Sequence, residues 1–149
     1  MEKKYLIHSL EEMNAFALKL IPFCFPGSII GLEGDLGSGK TTLTKFLARH
    51  LGITETVNSP TFTILKVYPG ERPLYHMDVY RLEGIGYDYE LDDFIYGKGV
   101  AVIEWYPFIL EMLPKEFLEI HISLLEDGSR EVLLKGSGIY EEILQTIGN

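Results

Sequence analysis

Residues Gly34-Asp35-Leu36-Gly37-Ser38-Gly39-Lys40-Thr41 follow the pattern G-x-x-x-x-G-K-[ST]. Glycines at both ends of such a loop let the backbone curl, so that successive N–H groups point inward and cradle phosphate oxygens. Lys40 would set an ammonium on the β- and γ-phosphates, and the Thr41 hydroxyl would complete a Mg²⁺ shell. The bland alternative is an accidental glycine-rich turn, and the flanking residues argue against it. Ser28-Ile29-Ile30-Gly31-Leu32-Glu33 is an apolar run entering the loop, and 42–51 leaves it with apolar residues at 43, 46, 47 and 51, a helical period. Strand, glycine loop, helix is the context the motif requires.

A phosphate loop needs a further carboxylate near its metal, usually at the end of a neighbouring hydrophobic strand. Two positions compete. Glu104 closes the apolar run Val100-Ala101-Val102-Ile103, where ligand crevices form in such sheets; its bland reading is a strand-terminal charge. Asp78 lies in Leu74-Tyr75-His76-Met77-Asp78-Val79-Tyr80-Arg81, where period two puts His76, Asp78 and Tyr80 on one face and Tyr75, Met77 and Val79 on the other. Asp78 is either a chemical carboxylate or a structural partner for His76 or a loop. Thr61, after Ser59-Pro60, reads either as a switch-type threonine sensing a γ-phosphate or its metal, or as a turn residue. Trp105 is a core aromatic or a rim aromatic offered to a partner. Arg81 reads either as a charge-stabilising arginine or as a plain salt-bridge residue, and Asp92-Asp93 as a solvated helix face.

The elements that must position these residues alternate in type. Tyr5-Leu6-Ile7-His8 is a short strand, and Ser9-Leu10-Glu11-Glu12 fits a capping box opening a helix with Leu10, Met13, Ala17, Leu20 and Ile21 on one face. Pro22, Pro26 and Gly27 close it, and Gly52 stops the helix after the loop. Phe62 to Tyr68 and Leu74 to Tyr80 read as strands about Pro69-Gly70-Glu71-Arg72-Pro73, and Tyr87 to Phe94 as a short helix. Gly99 to Trp105 has the look of a central buried strand. Phe117 to Leu125 and Arg130 to Lys135 flank Glu126-Asp127-Gly128-Ser129 as a second hairpin, and Ile139 to Ile147 ends the chain as a helix. The expectation is one α/β domain over 1–149 with a mixed parallel and antiparallel sheet, because the hairpins are antiparallel by nature.

Bulk properties narrow the function classes. The 149 residues are 46% hydrophobic and 23% charged, which suits a globular chain. No run approaches a membrane-spanning length, and Met1-Glu2-Lys3-Lys4-Tyr5 does not open a signal peptide. The single cysteine, Cys24, cannot form an internal disulfide; it reads as a packed residue in a reducing, cytoplasmic setting. A net charge of −9 argues against gripping nucleic acid directly, since phosphate contacts supply most of that affinity. Any role on nucleic acid would run through a partner protein.

Four segments in order resemble the TsaE (YjeE) family of small bacterial ATPases needed for threonylcarbamoyladenosine on tRNA: 34–42, then Val57-Asn58-Ser59-Pro60-Thr61-Phe62, His76-Met77-Asp78-Val79-Tyr80-Arg81, and Val102-Ile103-Glu104-Trp105. One departure is Ser38, where many members carry alanine; only the backbone matters there. The segment from Gly84 to Phe94 matches loosely and takes no role. The resemblance implies a P-loop NTPase-like three-layer fold, ATP and Mg²⁺ as ligands, and the proteins TsaD and TsaB as partners, with tRNA met only through the complex. It implies that Gly34, Asp35, Gly37, Ser38, Gly39, Lys40, Thr41 and Thr42 hold the nucleotide, and that Thr41 and Glu104 hold the metal. Asp78 and Trp105 match positions needed for activity, and Ser9 and Lys135-Gly136 are drawn toward the nucleotide.

The expected chemistry is in-line attack of water on the γ-phosphate, with Lys40 and the metal neutralising charge, Asp78 orienting water or the metal's outer shell, and Thr61 sensing the γ-phosphate or its metal. Without a clear arginine finger, the activity is expected to be weak until partners order the site. A small-molecule kinase is one rival, weakened because Arg72, Arg81 and Arg130 form no lid-like cluster after Pro60. A GTPase lacks its Asn-Lys-x-Asp motif. The other rival is a nucleotide-gated binding module in which hydrolysis is incidental.

Overall fold

A computed structural model describes residues 1–35, 37–58, 64–84 and 89–147. One seven-stranded sheet runs through them in the order β1-β7-β6-β2-β5-β4-β3. The strands are β1 (Glu2–Ile7), β2 (Ile29–Glu33), β3 (Leu65–Tyr68), β4 (Leu74–Asp78), β5 (Val100–Glu104), β6 (Leu118–Leu124) and β7 (Arg130–Lys135). β4, β5, β2 and β6 are mutually parallel, while β3, β7 and β1 pair antiparallel. The sheet is therefore mixed, and both expected hairpins form.

Alternation along the central strands feeds two cores. Ile30 and Leu32, Val100 and Val102, and Leu118, Ile120 and Ile122 pack on one face with α1 (Leu10–Lys19), α2 (Lys40–His50) and α4 (Ile139–Thr146). Ile29, Ala101, Ile103 and Met77 pack on the other with α3 (Asp92–Ile95) and the 3-10 segment Tyr106–Met112. A sheet covered on both faces gives three layers and explains the uninterrupted apolar run of β5, buried at every position.

Local expectations meet three differences. The Ser9 side chain accepts the Glu12 N–H at 3.1 Å, as a cap should, but Glu12 returns to the His8 N–H at 2.8 Å rather than to Ser9 itself. Leu10 is 68% exposed although it shares the helical face of Met13 and Ala17: the buried residues of α1 are Met13, Phe16 and Ala17. The second strand of the first hairpin stops at Asp78, because the Tyr80 N–H bonds to the Asp78 Oδ1 at 3.0 Å and turns the chain into the 3-10 segment Tyr80–Leu82. Its partner β3 begins at Leu65; residues 59–63 lie outside the described residues, as do 85–88 of the expected short helix. That helix begins, where described, as a 3-10 turn at Tyr89–Leu91. Cys24 is fully buried.

Candidate functional site

The parallel strands end on one edge of the sheet, and the candidate residues gather there. In β4 and β5 the register sets Leu74 beside Val100, His76 beside Val102 and Asp78 beside Glu104. Leu74, Val100 and Val102 belong to the core under α2, so period two carries Asp78 and Glu104 to that face, at the strand ends. β2 pairs Leu32 with Glu104 and then opens into the glycine loop. Topology alone thus brings Asp78, Glu104 and the loop together from positions up to 70 residues apart in sequence.

The loop is built for close backbone approach. Gly37 and Gly39 have φ of 81° and 111°, the second capping α2 in a left-handed conformation that a side chain would strain. A Cβ on Gly34 would lie 2.6 Å from the Ile122 carbonyl oxygen. The Ser38 N–H bonds to the Asp35 carbonyl at 3.0 Å, and the loop delivers Lys40 as the first residue of α2. Asp35 is exposed; Thr41 and Thr42 are half-buried on the first turn.

Lys40 is buried, and its Nζ has no hydrogen-bond partner among the described residues. It lies 4.2 Å from the centroid of the Trp105 ring. Trp105 has φ 62° and ψ 31°, the only non-glycine positive φ among the described residues. That backbone turn directly after β5 aims the indole back across the lysine. Phe108 stacks on the indole at 5.8 Å and Tyr80 meets it edge-on at 5.0 Å. Trp105 is thus neither wholly core nor wholly rim: it is half-buried, lying over Lys40.

A buried ammonium without a hydrogen-bonding partner, beside a curled run of N–H groups at a helix N-terminus, fits a phosphate. The buried Ser38 Oγ in the same loop also has no hydrogen-bond partner among the described residues. For a metal, no cluster of three or more His, Cys, Asp or Glu side chains stands ready among the described residues. Magnesium held together with phosphates needs only one or two carboxylates and keeps several waters, and Thr41, Glu104 and Asp78 fit that donor set.

Burial, the largest influence, holds the Asp78 carboxyl above its ordinary range. The Tyr80 N–H counteracts it, Glu104 adds to it, and Lys40 and His76 pull the other way. Glu104 is buried and bonds through Oε2 to His76 Nε2 at 2.6 Å. His76 therefore pairs with Glu104, not with Asp78.

Arg130, at the start of β7, is a residue that sequence patterns left aside. Its Nε donates to the Ser38 carbonyl at 2.9 Å and its Nη2 to the Gly37 carbonyl at 3.3 Å, bracing the loop from 92 residues away. No local signal marks it, since only the order β7-β6-β2 brings it there. Beside it lies a small cavity of about 80 Å³ lined by Ile7, Ser9, Leu10, Met13, Thr42 and Gly39. Ser9 thus reaches the loop's flank, whereas Lys135 and Gly136 line a different hollow with Met1, Lys115 and Phe117. Arg81 is exposed on the Tyr80–Leu82 segment. Thr61 lies outside the described residues.

With this geometry in view, likeness to known proteins becomes specific. The family model described as "Threonylcarbamoyl adenosine biosynthesis protein TsaE" matches residues 7–132. The chain belongs to the TsaE family. It is 50% identical over 135 residues to the tRNA threonylcarbamoyladenosine biosynthesis protein TsaE of Bacillus subtilis, covering 90% of this chain and 85% of that one. The Treponema pallidum TsaE is 46% identical over 108 residues, covering 71% and 80%. Among solved structures, the crystal structure of Bacillus subtilis YdiB superposes with a TM-score of 0.84 at 43% identity, over 97% of this chain and 93% of that one. The TsaE match spans every described element of the site, from Ser9 to Arg130.

Proposed function

We propose that this TsaE-family chain is a Mg²⁺-dependent ATPase, one that serves threonylcarbamoyladenosine formation on tRNA together with TsaD and TsaB. The single observation that carries the nucleotide half is Lys40: a buried ammonium with no hydrogen-bond partner, at the head of α2, facing a glycine loop with two left-handed glycines. Lys40 and the loop N–H groups hold the β- and γ-phosphates, and Arg130 keeps the loop in its curled form by bonding its carbonyls. Thr41 and Glu104 hold the metal, which supplies charge neutralisation at the phosphates. Asp78, whose carboxyl burial raises, orients water at the strand ends. The small cavity beside Gly39, lined by Ser9, Leu10, Met13 and Thr42, flanks the loop on the side of α1.

Two features of the chain favour a helper role. Arg72, Arg81 and Arg130 stand apart in sequence with no cluster among them, so on this reading a partner meets the charge that develops on the phosphates. With net charge −9 the chain meets tRNA through other proteins rather than directly. The cytoplasm is the matching compartment.

The test is co-purification with TsaD and TsaB, with and without ATP, and ATP turnover of the chain alone and in the complex. ATP-dependent association with faster turnover in the complex is the expected result. Free protein turning over as fast as the complex would sink the partner-activated reading. If Lys40→Ala abolishes ATP binding while Glu104→Ala keeps it and still supports many rounds of tRNA modification, a nucleotide-gated module replaces the ATPase.

A further inference from the structure

We propose that His76 is a positioning residue that presets Glu104 for the metal, an inference that rests on the reading of Glu104 as a magnesium ligand. His76 is fully enclosed, and Glu104 retains 3% exposure. Neighbouring positions on the same sheet face, Leu74, Val100 and Val102, are filled by apolar residues. A histidine among them is a costly filler, since its buried Nδ1 is left without a hydrogen-bond partner. The expense is explained by what the other nitrogen does. Nε2 meets Glu104 Oε2 at 2.6 Å, one strand across and one pleat back.

The arrangement selects one tautomer. With the hydrogen on Nε2, the ring donates to the carboxylate and only a lone pair is stranded at Nδ1; the reverse tautomer strands a donor and sets two acceptors 2.6 Å apart. A glutamate has three rotatable bonds, and at a strand end it can turn toward solvent. Oε2 is committed to His76, so the carboxylate meets a cation through its other oxygen without first losing that freedom. Partners that orient metal ligands in this way govern affinity roughly 10- to 100-fold.

The probe is Mn²⁺, followed by electron paramagnetic resonance in the presence of a non-hydrolysable ATP analogue, with analogue affinity in EDTA measured by calorimetry. His76→Asn places its amide at the level of Nδ1 and falls short of Glu104; His76→Gln reaches the Nε2 level. Mn²⁺ affinity is expected to fall roughly 10- to 100-fold in the Asn variant, to be largely restored in the Gln variant, and analogue affinity in EDTA to be unchanged in both. His76→Leu removes donor and stranded nitrogen together, and is expected to lose Mn²⁺ like the Asn variant even if it melts higher. In a Glu104→Ala background the Asn substitution is expected to add nothing. Wild-type Mn²⁺ affinity in the Asn and Leu variants overturns the positioning role, as does an equal loss with Gln and Asn or a parallel loss in EDTA. Wild-type protein that binds the analogue but ignores Mn²⁺ instead removes Glu104 as a metal ligand, and this inference with it. Wild-type protein that binds no analogue removes the nucleotide reading altogether.

Discussion

Lys40 and Trp105 form a pair whose state reports on the site. The indole face lies 4.2 Å from the ammonium, a contact that an arriving phosphate must compete with. Trp105 is the single tryptophan, so its emission is unambiguous. Adding ATP or ADP is expected to shift or change the intensity of that emission saturably, and Lys40→Ala is expected to abolish the saturable change; an unaltered spectrum in wild-type protein at saturating nucleotide would refute the contact's coupling to binding. Asp78 carries a second residue-scale prediction. Its folded-state pKa lies above the 3.8 of an ordinary aspartate, chiefly through burial. The folded state therefore takes up the proton first as pH falls, and the ionised carboxylate weakens the fold above that window. Without nucleotide or metal, Asp78→Asn is expected to melt higher than wild type at pH 7, with the gap closing as pH drops toward 3.8. The Asn Oδ1 can still accept the Tyr80 N–H, so the turn survives, while ATP turnover is expected to fall.

At the scale of elements, two contacts brace the loop's surroundings, and they separate by readout. Ser9 caps α1 by accepting the Glu12 N–H. Ser9→Ala is expected to lower stability by about 1 kcal/mol, read as a lower urea midpoint at unchanged slope. Arg130 holds the Ser38 and Gly37 carbonyls instead, which fixes loop shape more than global stability. Arg130→Ala is expected to weaken nucleotide binding by more than tenfold, with a melting temperature shift smaller than that of Ser9→Ala. A loss of stability without a loss of affinity would assign Arg130 to scaffolding alone. The Ser9 cap, the glycine loop between strand and helix, and the two hairpins are legible because each is written in contiguous residues. Leu10 stays 68% exposed on the same helical face as buried Met13 and Ala17, because helical period fixes a face but not which of its positions tertiary contacts cover.

Over the whole molecule, the two cores isolate the one thiol. Burial raises the Cys24 pKa to about 12, with Arg72 opposing, and its Sγ rests 3.6 Å from the Leu20 carbonyl oxygen. Alkylation of native protein at pH 8 is expected to be negligible and to become complete above the unfolding midpoint; rapid native labelling would contradict the packing. The described sheet, order β1-β7-β6-β2-β5-β4-β3, is also what assembles the site.

The sequence by itself determined that a glycine-rich loop joins a strand to a helix, that an apolar strand ends at Glu104, and that the family is TsaE, since these are local patterns in contiguous residues. It left Asp78 and Trp105 with two readings each, gave His76 no role beyond a partner for Asp78, and named Arg130 only among three scattered arginines. Tertiary structure decided the partners of three of them: β4 beside β5 pairs His76 with Glu104, a left-handed turn lays Trp105 on Lys40, and β7 returns Arg130 to the loop. Strand order and register depend on contacts between residues tens of positions apart, and local period carries no information about which strands become neighbours.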